Sequence, residues 1–298
     1  MKKIGTFFRR GGAFLLTLCL LAAGLDAALT RSKVIERSDL FNHNDFEKTI
    51  LFHEGQEVYD RIFYGNSVVI SSYVEWASDS GYANFGIDYG VMTDLRDMLK
   101  RGDITVTQDI VLGLNYFVFY DGMDTNPTYP WHRGVLEPYL YFQRDRLQAL
   151  GRSAWESFQA GGALELPRYE EYYKFMYSGV LDEQAMAEKV ATHRELYWGL
   201  GLEHYQENLE ALEEVISLCD ERGIRLRAVW LPWNPSVPMP EGPAKVRQAA
   251  DQIMERAGVQ VLDMEQGLAL DCFHDVGHLN MEYGAFVFTE VMDPWLNS

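Results

Sequence analysis

The stretch RIFYGNSVVI, residues 61–70, decides the fold of this 298-residue chain. Residues 61–64 predict a short strand, Gly65-Asn66-Ser67 a tight turn, and residues 68–76 a helix. Because Val68, Val69 and Ile70 are β-branched, a strand remains an alternative for the start of that helix. A strand that passes through a turn into a helix is the repeating unit of an α/β fold.

The same alternation continues along the chain. Apolar runs suited to buried strands, and periodic segments suited to helices, follow one another: strands at 82–85, 109–114, 224–231 and 259–262, and helices at 91–100, 203–222, 244–257 and 281–292. Strands that alternate with helices pair in parallel and need cover on both faces. The sequence therefore predicts a mostly parallel sheet between two helical layers.

Chemistry-bearing residues follow several of these predicted strands. Ser67, Gly86 and Asn115 each come directly after a strand, as do the loop at residues 232–240 and the loop that leads to Asp275. The carboxyl ends of parallel strands meet at one edge of a sheet, and active sites gather there. We therefore expect these positions to lie together.

The residue types at this edge match the roles needed for serine-dependent acyl chemistry. Ser67 is the candidate nucleophile, His278 the base that takes its proton, and Asp275 the group that fixes the imidazole tautomer. The oxyanion requires preorganised donors, for which the N–H groups of Ser67 and Gly86 and the amide of Asn115 are the candidates. Taken singly, each residue also fits an ordinary turn or helix cap.

Four short blocks in this order resemble those of the SGNH (GDSL-like) hydrolase superfamily. The blocks are Gly65-Asn66-Ser67, Asn84-Phe85-Gly86, Gly113-Leu114-Asn115 and Asp275-x-x-His278, and the resemblance spans about residues 60–294. It implies a three-layer, flavodoxin-like sheet with a helical insertion after the third strand, an acyl-serine intermediate and no cofactor. The usual aspartate before the nucleophile is replaced here by Asn66.

Within that superfamily the chain looks most similar to membrane-anchored proteins of teichoic-acid D-alanylation and polysaccharide O-acetylation. The N-terminal apolar segment, the insertion, and His278-Leu279-Asn280 followed by Gly284-Ala285 prompt this comparison. It implies transfer or hydrolysis of a D-alanyl or acetyl ester on an envelope polysaccharide or teichoic acid. It also implies a membrane-bound O-acyltransferase as a partner.

The N-terminus indicates an extracytoplasmic location. A basic head precedes an apolar run at residues 11–29, interrupted by Asp26, and Ala22-Ala23-Gly24 offers a cleavage site. The segment fits a membrane anchor or a cleaved signal, so we assign residues 1–30 to it and 31–298 to the α/β domain. The first 31 residues contain five basic side chains and one acidic, so the remainder is more acidic than the whole chain at −18. That balance argues against nucleic acid as a partner.

The region at about residues 116–202 interrupts the alternation and is rich in aromatic residues. We interpret it as a helical insertion, which can form a lid, a membrane-facing surface or additional core. Trp131 and His132 near its start, with Asn66 and with Trp233 in the 232–240 loop, are candidate substrate contacts. Cys219 and Cys272 could pair outside the cytoplasm, but nothing in the sequence requires it.

Two other functions remain open. His274 and His278 form a His-x-x-x-His pair that could hold zinc if the segment were helical, with Glu282 or Glu290 as a further ligand. We nevertheless predict no metal at the site, because the sequence around the two histidines indicates a loop before a helix. The chain could also be a non-catalytic protein that binds an envelope polymer or a membrane partner.

Overall fold

The computed structural model describes residues 2–38, 40–41, 43–122, 125–161 and 177–298. Its contacts divide the chain into two compact units. One comprises Met1–Glu47 and His132–Glu171, and the other comprises Lys48–Trp131 and Tyr172–Ser298. Each unit is described by itself.

The second unit is built on a five-stranded, all-parallel sheet in the order β2-β1-β3-β4-β5. The strands are β1 (Val58–Gly65), β2 (Ala83–Gly86), β3 (Thr105–Leu114), β4 (Arg225–Trp230) and β5 (Gln260–Asp263). This order, with helices flanking the sheet, is that of a three-layer flavodoxin-like fold. The predicted α/β class and its parallel sheet are confirmed.

Helices connect the strands and cover the sheet. They are α3 (Ser67–Ser72), α4 (Met92–Arg101), α7 (Glu183–Leu196), α8 (Gln206–Arg222), α9 (Glu241–Ala257) and α10 (Gly284–Leu296), with α2 (Asp45–Phe52) spanning the unit boundary. Helix α3 packs against α10, whereas α8 packs against both α4 and α9. These are the two helical layers that right-handed crossovers require.

The helix after the first strand is shorter than predicted. It ends at Ser72 rather than at residue 76, and a separate 3₁₀ turn follows at Glu75–Ala77. The Asn84 side chain donates to the carbonyl of Tyr73 at 2.7 Å. This bond links the residue after α3 to β2, and the chain does not continue as a helix. The start of the helix is as the turn predicted, with Asn66 as the N-cap.

Two glycines allow α3 to approach the sheet. A Cβ built on Gly65 would lie 2.3 Å from the Cγ2 of Val69, and one on Gly113 would lie 2.2 Å from the same atom. Val69 is fully buried between these two strand positions. The glycines therefore set how close the helix that begins at Ser67 can lie to β1 and β3.

A buried ionic network joins the middle of β3 to the start of β4. Arg227 is 1% exposed and donates to Asp109 at 3.0 Å, while the Tyr82 hydroxyl donates to the same carboxylate at 2.7 Å. Asp109 also accepts from Arg225 at 2.6 Å. The predicted apolar strand at 224–231 thus contains a buried, paired charge.

The first unit contains the N-terminal helix α1 (Lys2–Ser32), α5 (Tyr139–Phe142) and α6 (Arg144–Gln159). Asp26 accepts from Arg133 at 2.7 Å and from the N–H of Tyr139 at 2.6 Å, so the segment that contains these two residues is bonded to α1. Among the described helices, one segment, Gly11–Ser32, has the length and composition to cross a membrane, features that a signal sequence shares.

The helical character of the insertion at 116–202 is borne out by α5, α6 and α7, while its residues 162–176 lie outside the described part of the chain. Cys219 in α8 and Cys272 are buried free thiols, so the structure does not contain the possible disulfide between them.

Candidate active site

Three side chains from distant parts of the sequence form a continuous hydrogen-bonded chain. The Ser67 hydroxyl lies 2.9 Å from Nε2 of His278, although 211 residues separate them. The other ring nitrogen, Nδ1, lies 2.9 and 3.0 Å from the two carboxylate oxygens of Asp275. These distances fit a nucleophile, a base and an orienting carboxylate, and they bring together the three positions predicted from the sequence.

Asp275 is fully buried and ionised. Its Oδ1 accepts from the N–H groups of Gly277 at 3.0 Å and His278 at 2.9 Å, and its Oδ2 accepts from Lys189 at 2.5 Å. Burial alone would raise the pKa of Asp275. The hydrogen bond and charge of His278, together with Lys189, outweigh it and hold that pKa well below its usual range.

Ser67 occupies the first residue of α3, directly after β1. The N–H of such a residue has no partner within its own helix, so it is available to an oxyanion. The neighbouring side chains of Asn66 and Asn115 exchange two hydrogen bonds, at 2.9 and 3.0 Å. One N–H of the Asn115 amide is engaged in this pair, and an amide carries a second. Ser67 and Asn115 thus remain the candidate oxyanion donors.

The prediction for Gly86 is wrong. Its N–H donates to the Asn84 side chain at 2.9 Å, so this donor is already engaged. A Cβ at Gly86 would lie 2.6 Å from the backbone nitrogen of Ile70. The glycine is therefore needed for close packing of β2 against α3, and the structure gives no support for it as an oxyanion donor.

Two of the four predicted substrate contacts, Asn66 and Trp131, are buried and bonded to other protein groups. Asn66 is 3% exposed and accepts from the N–H of Val68 at 3.1 Å, so it caps α3 and orients Asn115. Trp131 is buried, donates its indole N–H to Asp94 at 2.7 Å and stacks on Tyr129. Trp131 does not line the pocket described next. His132 is exposed and belongs to the first unit, so its role as a substrate contact stays a prediction.

A pocket opens beside the serine and the base, at the carboxyl ends of β3 and β4. Its cavity volume is about 60 Å³, and further open space lies at its mouth. Trp233 is the predicted substrate contact that lines it. Its walls also include Val68, Leu114, Tyr116 and Val276, each next in sequence to a candidate catalytic position, and Trp230 and Leu231 at the end of β4. Crevices at this edge of a parallel sheet are the usual ligand sites of the fold.

The insertion supplies residues that the sequence did not identify. Lys189 and His193 both lie on α7, and His193 lines the pocket. Burial, followed by the positive charge of Lys189, lowers the pKa of His193 to about 4. The Tyr116 hydroxyl accepts from Trp198 at 3.1 Å and lies 3.2 Å from Nδ1 of His193, which is the arrangement of a neutral imidazole.

Tyr177 packs against the base. Its ring centroid lies 4.1 Å from that of His278, at an interplanar angle of 34°. The carbonyl of Tyr177 accepts from the N–H of Met281 at 2.9 Å, which holds this segment against the chain that follows His278. No motif connects Tyr177 or Lys189 with Asp275 in the sequence, because they lie about a hundred residues upstream in a region of irregular pattern.

The zinc interpretation required His274 and His278 on one helical face. Both instead lie in a loop that precedes α10, and the two ring nitrogens of His278 already face Ser67 and Asp275. Nδ1 of His274 lies 3.1 and 3.0 Å from the carbonyls of Ser178 and Gly179. Across the described residues, no group of three or more His, Cys, Asp or Glu side chains converges in a way that could hold a metal.

Comparisons with known proteins leave this site to be interpreted from its own geometry. No family model matches the chain, and no curated protein matches it in sequence.

Proposed function

We propose that this chain is an SGNH-like, serine-dependent enzyme that transfers or hydrolyses an acyl ester on a cell-envelope polysaccharide or teichoic acid. The observation that carries the proposal is the contact between the Ser67 hydroxyl and Nε2 of His278 at 2.9 Å, with Asp275 on the opposite ring nitrogen. A serine is a poor nucleophile unless a base receives its proton, and this geometry supplies that base.

The reaction begins with attack of the Ser67 oxygen on the ester carbonyl carbon, while its proton moves to Nε2 of His278. The developing oxyanion lies within reach of the Ser67 N–H and the Asn115 amide. When the tetrahedral intermediate collapses, the ester C–O bond breaks and the leaving alkoxide takes the proton from His278. An acyl-serine remains, and Asp275 stabilises the imidazolium throughout.

A second half-reaction releases the acyl group. Water or a polymer hydroxyl gives its proton to His278 and attacks the acyl-serine, and Ser67 recovers a proton as it leaves. Hydrolysis and transfer therefore use the same residues and differ in which oxygen reaches the acyl-serine. A membrane-bound O-acyltransferase is the proposed source of acyl groups in the transfer reaction.

The proposed location is the outer face of the cytoplasmic membrane, with α1 as the tether. Two observations support it: the apolar length of Gly11–Ser32, and the apolar side chains exposed in the same unit. Val135 is 96% exposed and Leu136 is 94% exposed, in the loop that follows the Arg133 partner of Asp26. Exposed apolar side chains beside a membrane-length helix are suited to an interfacial contact with lipid.

A fluorophosphonate probe tests the proposed chemistry, because it labels a serine only when that serine is activated. We expect stoichiometric labelling of the wild-type protein and none of Ser67→Ala. In His278→Ala the labelling rate should fall by at least about 10³-fold, since the base is lost while the nucleophile remains. Ser71→Ala is the matched control, because it removes a buried hydroxyl from the same helix.

Absence of labelling in folded wild-type protein would contradict the proposal and favour a non-catalytic binding protein. Stoichiometric zinc in the purified protein, lost in His274→Ala, would instead favour the zinc interpretation.

A further inference from the structure

The pocket beside the base has a composition that bears on the acyl group. Its lining includes Val68, the residue after the candidate nucleophile, together with Leu114, Val276, Trp230 and Trp233. All five side chains are buried, with exposures of 7% or less. Contact between such an apolar wall and an apolar ligand removes both surfaces from water, which favours binding. The wall offers the ligand no hydrogen bond.

The polar atoms in this wall are paired with other protein atoms. The indole N–H of Trp230 donates to Asp251 at 2.7 Å, and that of Trp233 donates to the carbonyl of Val237 at 2.6 Å. The Tyr116 hydroxyl lies between Trp198 and His193, at 3.1 and 3.2 Å. The rings therefore present their carbon atoms to the pocket while their heteroatoms are directed into the protein.

The two carboxylates that line the pocket are paired as well. Asp275 is bonded to His278 and Lys189, and Glu265 is bonded to Arg247. A D-alanyl group carries an ammonium that needs an anionic or carbonyl partner when it leaves water. Asp275 could serve it only by giving up His278 or Lys189, the first of which belongs to the proposed catalytic chain. Glu265 contacts Arg247 through one oxygen and shares that arginine with Asp251 and Asp263, so of these two carboxylates it is the one that could accept an ammonium while keeping its present partner.

We propose that the site takes an uncharged acyl group whose hydrocarbon chain is longer than acetyl. The carbonyl carbon lies at Ser67, and the chain extends along the Leu114 and Trp233 wall. This inference rests on the proposed function, because it specifies the acyl group of the same serine site. It departs from the acetyl and D-alanyl groups that the sequence resemblance implies.

The experiment measures kcat/KM for p-nitrophenyl acetate, butyrate, hexanoate and octanoate, and for D-alanine p-nitrophenyl ester, with the full chain in detergent. Each buried methylene can raise kcat/KM by up to roughly fourfold, so we expect hexanoate to exceed acetate by at least about tenfold. The D-alanyl ester should be no better than acetate.

Met239→Trp tests where the chain lies, because Met239 lines the pocket from a half-buried loop position. The added ring should lower the hexanoate-to-acetate ratio by about tenfold. Leu270→Trp is the control, since it adds the same ring at a side chain that is 51% exposed and outside the pocket lining. Its ratio should equal that of the wild type.

The outcomes separate the two proposals. If the fluorophosphonate labels Ser67 but kcat/KM is highest for the acetate or the D-alanyl ester, the chain-length inference is overturned and the proposed serine site stands. A long-chain preference that Met239→Trp does not change also overturns it, because the chain would then bind elsewhere. If the folded protein is not labelled and hydrolyses none of the esters, the proposed function is overturned, and this inference with it.

Discussion

Asn66 stands where the resemblance to the SGNH superfamily leads one to expect an aspartate. Its side chain accepts from Asn115 and from the N–H of Val68, and its own amide donates to Asn115. An aspartate could make the two acceptor bonds but not the donor bond. An asparagine at this position therefore caps the helix as an aspartate would, and it makes one further bond that orients the candidate oxyanion donor.

At the scale of residues, the sequence predicted Ser67, Asp275 and His278 because nucleophile, base and acid follow recognisable blocks. It did not identify Lys189, which donates to Asp275 from α7. A lysine on a helix surface has no distinguishing sequence signal, and its contact depends on how the insertion folds back. Gly86 was assigned wrongly because a glycine required for packing looks the same in sequence as one that exposes its N–H.

His193 gives the stability of the protein a pH dependence. Its pKa is lowered to about 4 in the folded state, mainly by burial and then by the charge of Lys189, whereas an unfolded histidine titrates near 6.5. Between these values the unfolded chain binds more protons, so stability is full above about pH 6.5 and decreases as the pH falls toward 4.

We therefore expect the melting temperature of His193→Gln to depend less on pH between 6.5 and 4 than that of the wild type. His204→Gln changes an exposed imidazole and should retain the wild-type slope. Equal slopes for His193→Gln and the wild type, measured by thermal unfolding in matched buffers, would show that His193 is not the group responsible.

At the scale of elements, the strands were predicted well where they are buried on both faces. In β3, the residues Ile110, Val111, Leu112 and Leu114 are all fully buried, which produces the uninterrupted apolar run visible in the sequence. The end of α3 was not predictable, because Asn84 terminates it from another strand. Nor was the burial of Arg227, since its partner Asp109 is 118 residues away.

The packing of α3 against β1 and β3 can be tested at Gly113. Gly113→Ala places a methyl group against the stiff, buried side chain of Val69, and we expect it to lower the free energy of unfolding by about 1–3 kcal/mol. Chemical denaturation measures this change. Combining it with Val69→Ala should cost less than the sum of the two single substitutions, because the new methyl group fills the space that is vacated.

Gly151→Ala is the matched control. Gly151 lies within α6, and a Cβ there would meet nothing within 4 Å. Alanine is favoured over glycine in a helix interior, so this variant should be more stable by roughly 0.5–1 kcal/mol. Wild-type stability of Gly113→Ala beside a stabilised Gly151→Ala would contradict the packing argument.

At the scale of the whole molecule, the division into two units was not evident in the sequence. Residues at 132–161 separate from the rest of the insertion and bond to the N-terminal region instead. Arg146 makes a paired contact with Glu47 at 2.8 and 3.0 Å, and Arg133 bonds to Asp26. These pairs join positions about 100 residues apart, and charge pairing over that distance leaves no local pattern.

The proposed tether predicts how the whole chain partitions. We expect the intact protein to sediment with membranes and to remain bound during an alkaline carbonate wash, because an apolar helix anchors it. Electrostatic attraction cannot account for the binding, since a net charge of −18 is repelled by anionic lipid. Leu18→Arg with Leu21→Arg should release it into the soluble fraction, since each arginine costs about 2.5–3.5 kcal/mol near a helix centre.

Leu270→Arg controls for the added charges at an exposed leucine outside α1. Intact-mass measurement identifies the alternative. A soluble wild-type protein that has lost its first residues near Ala22-Ala23-Gly24 would contradict the tether and show that the segment is a cleaved signal.

The order of the proposed catalytic positions along the chain has a consequence for biosynthesis. Ser67 leaves the ribosome 211 residues ahead of His278, which at ordinary elongation rates is an interval of roughly 10 to 40 s. During that interval the emerging polypeptide carries an alcohol with nothing to deprotonate it. Under the proposed mechanism, the nascent chain is therefore inert toward esters until His278, just before the final helix, has been made.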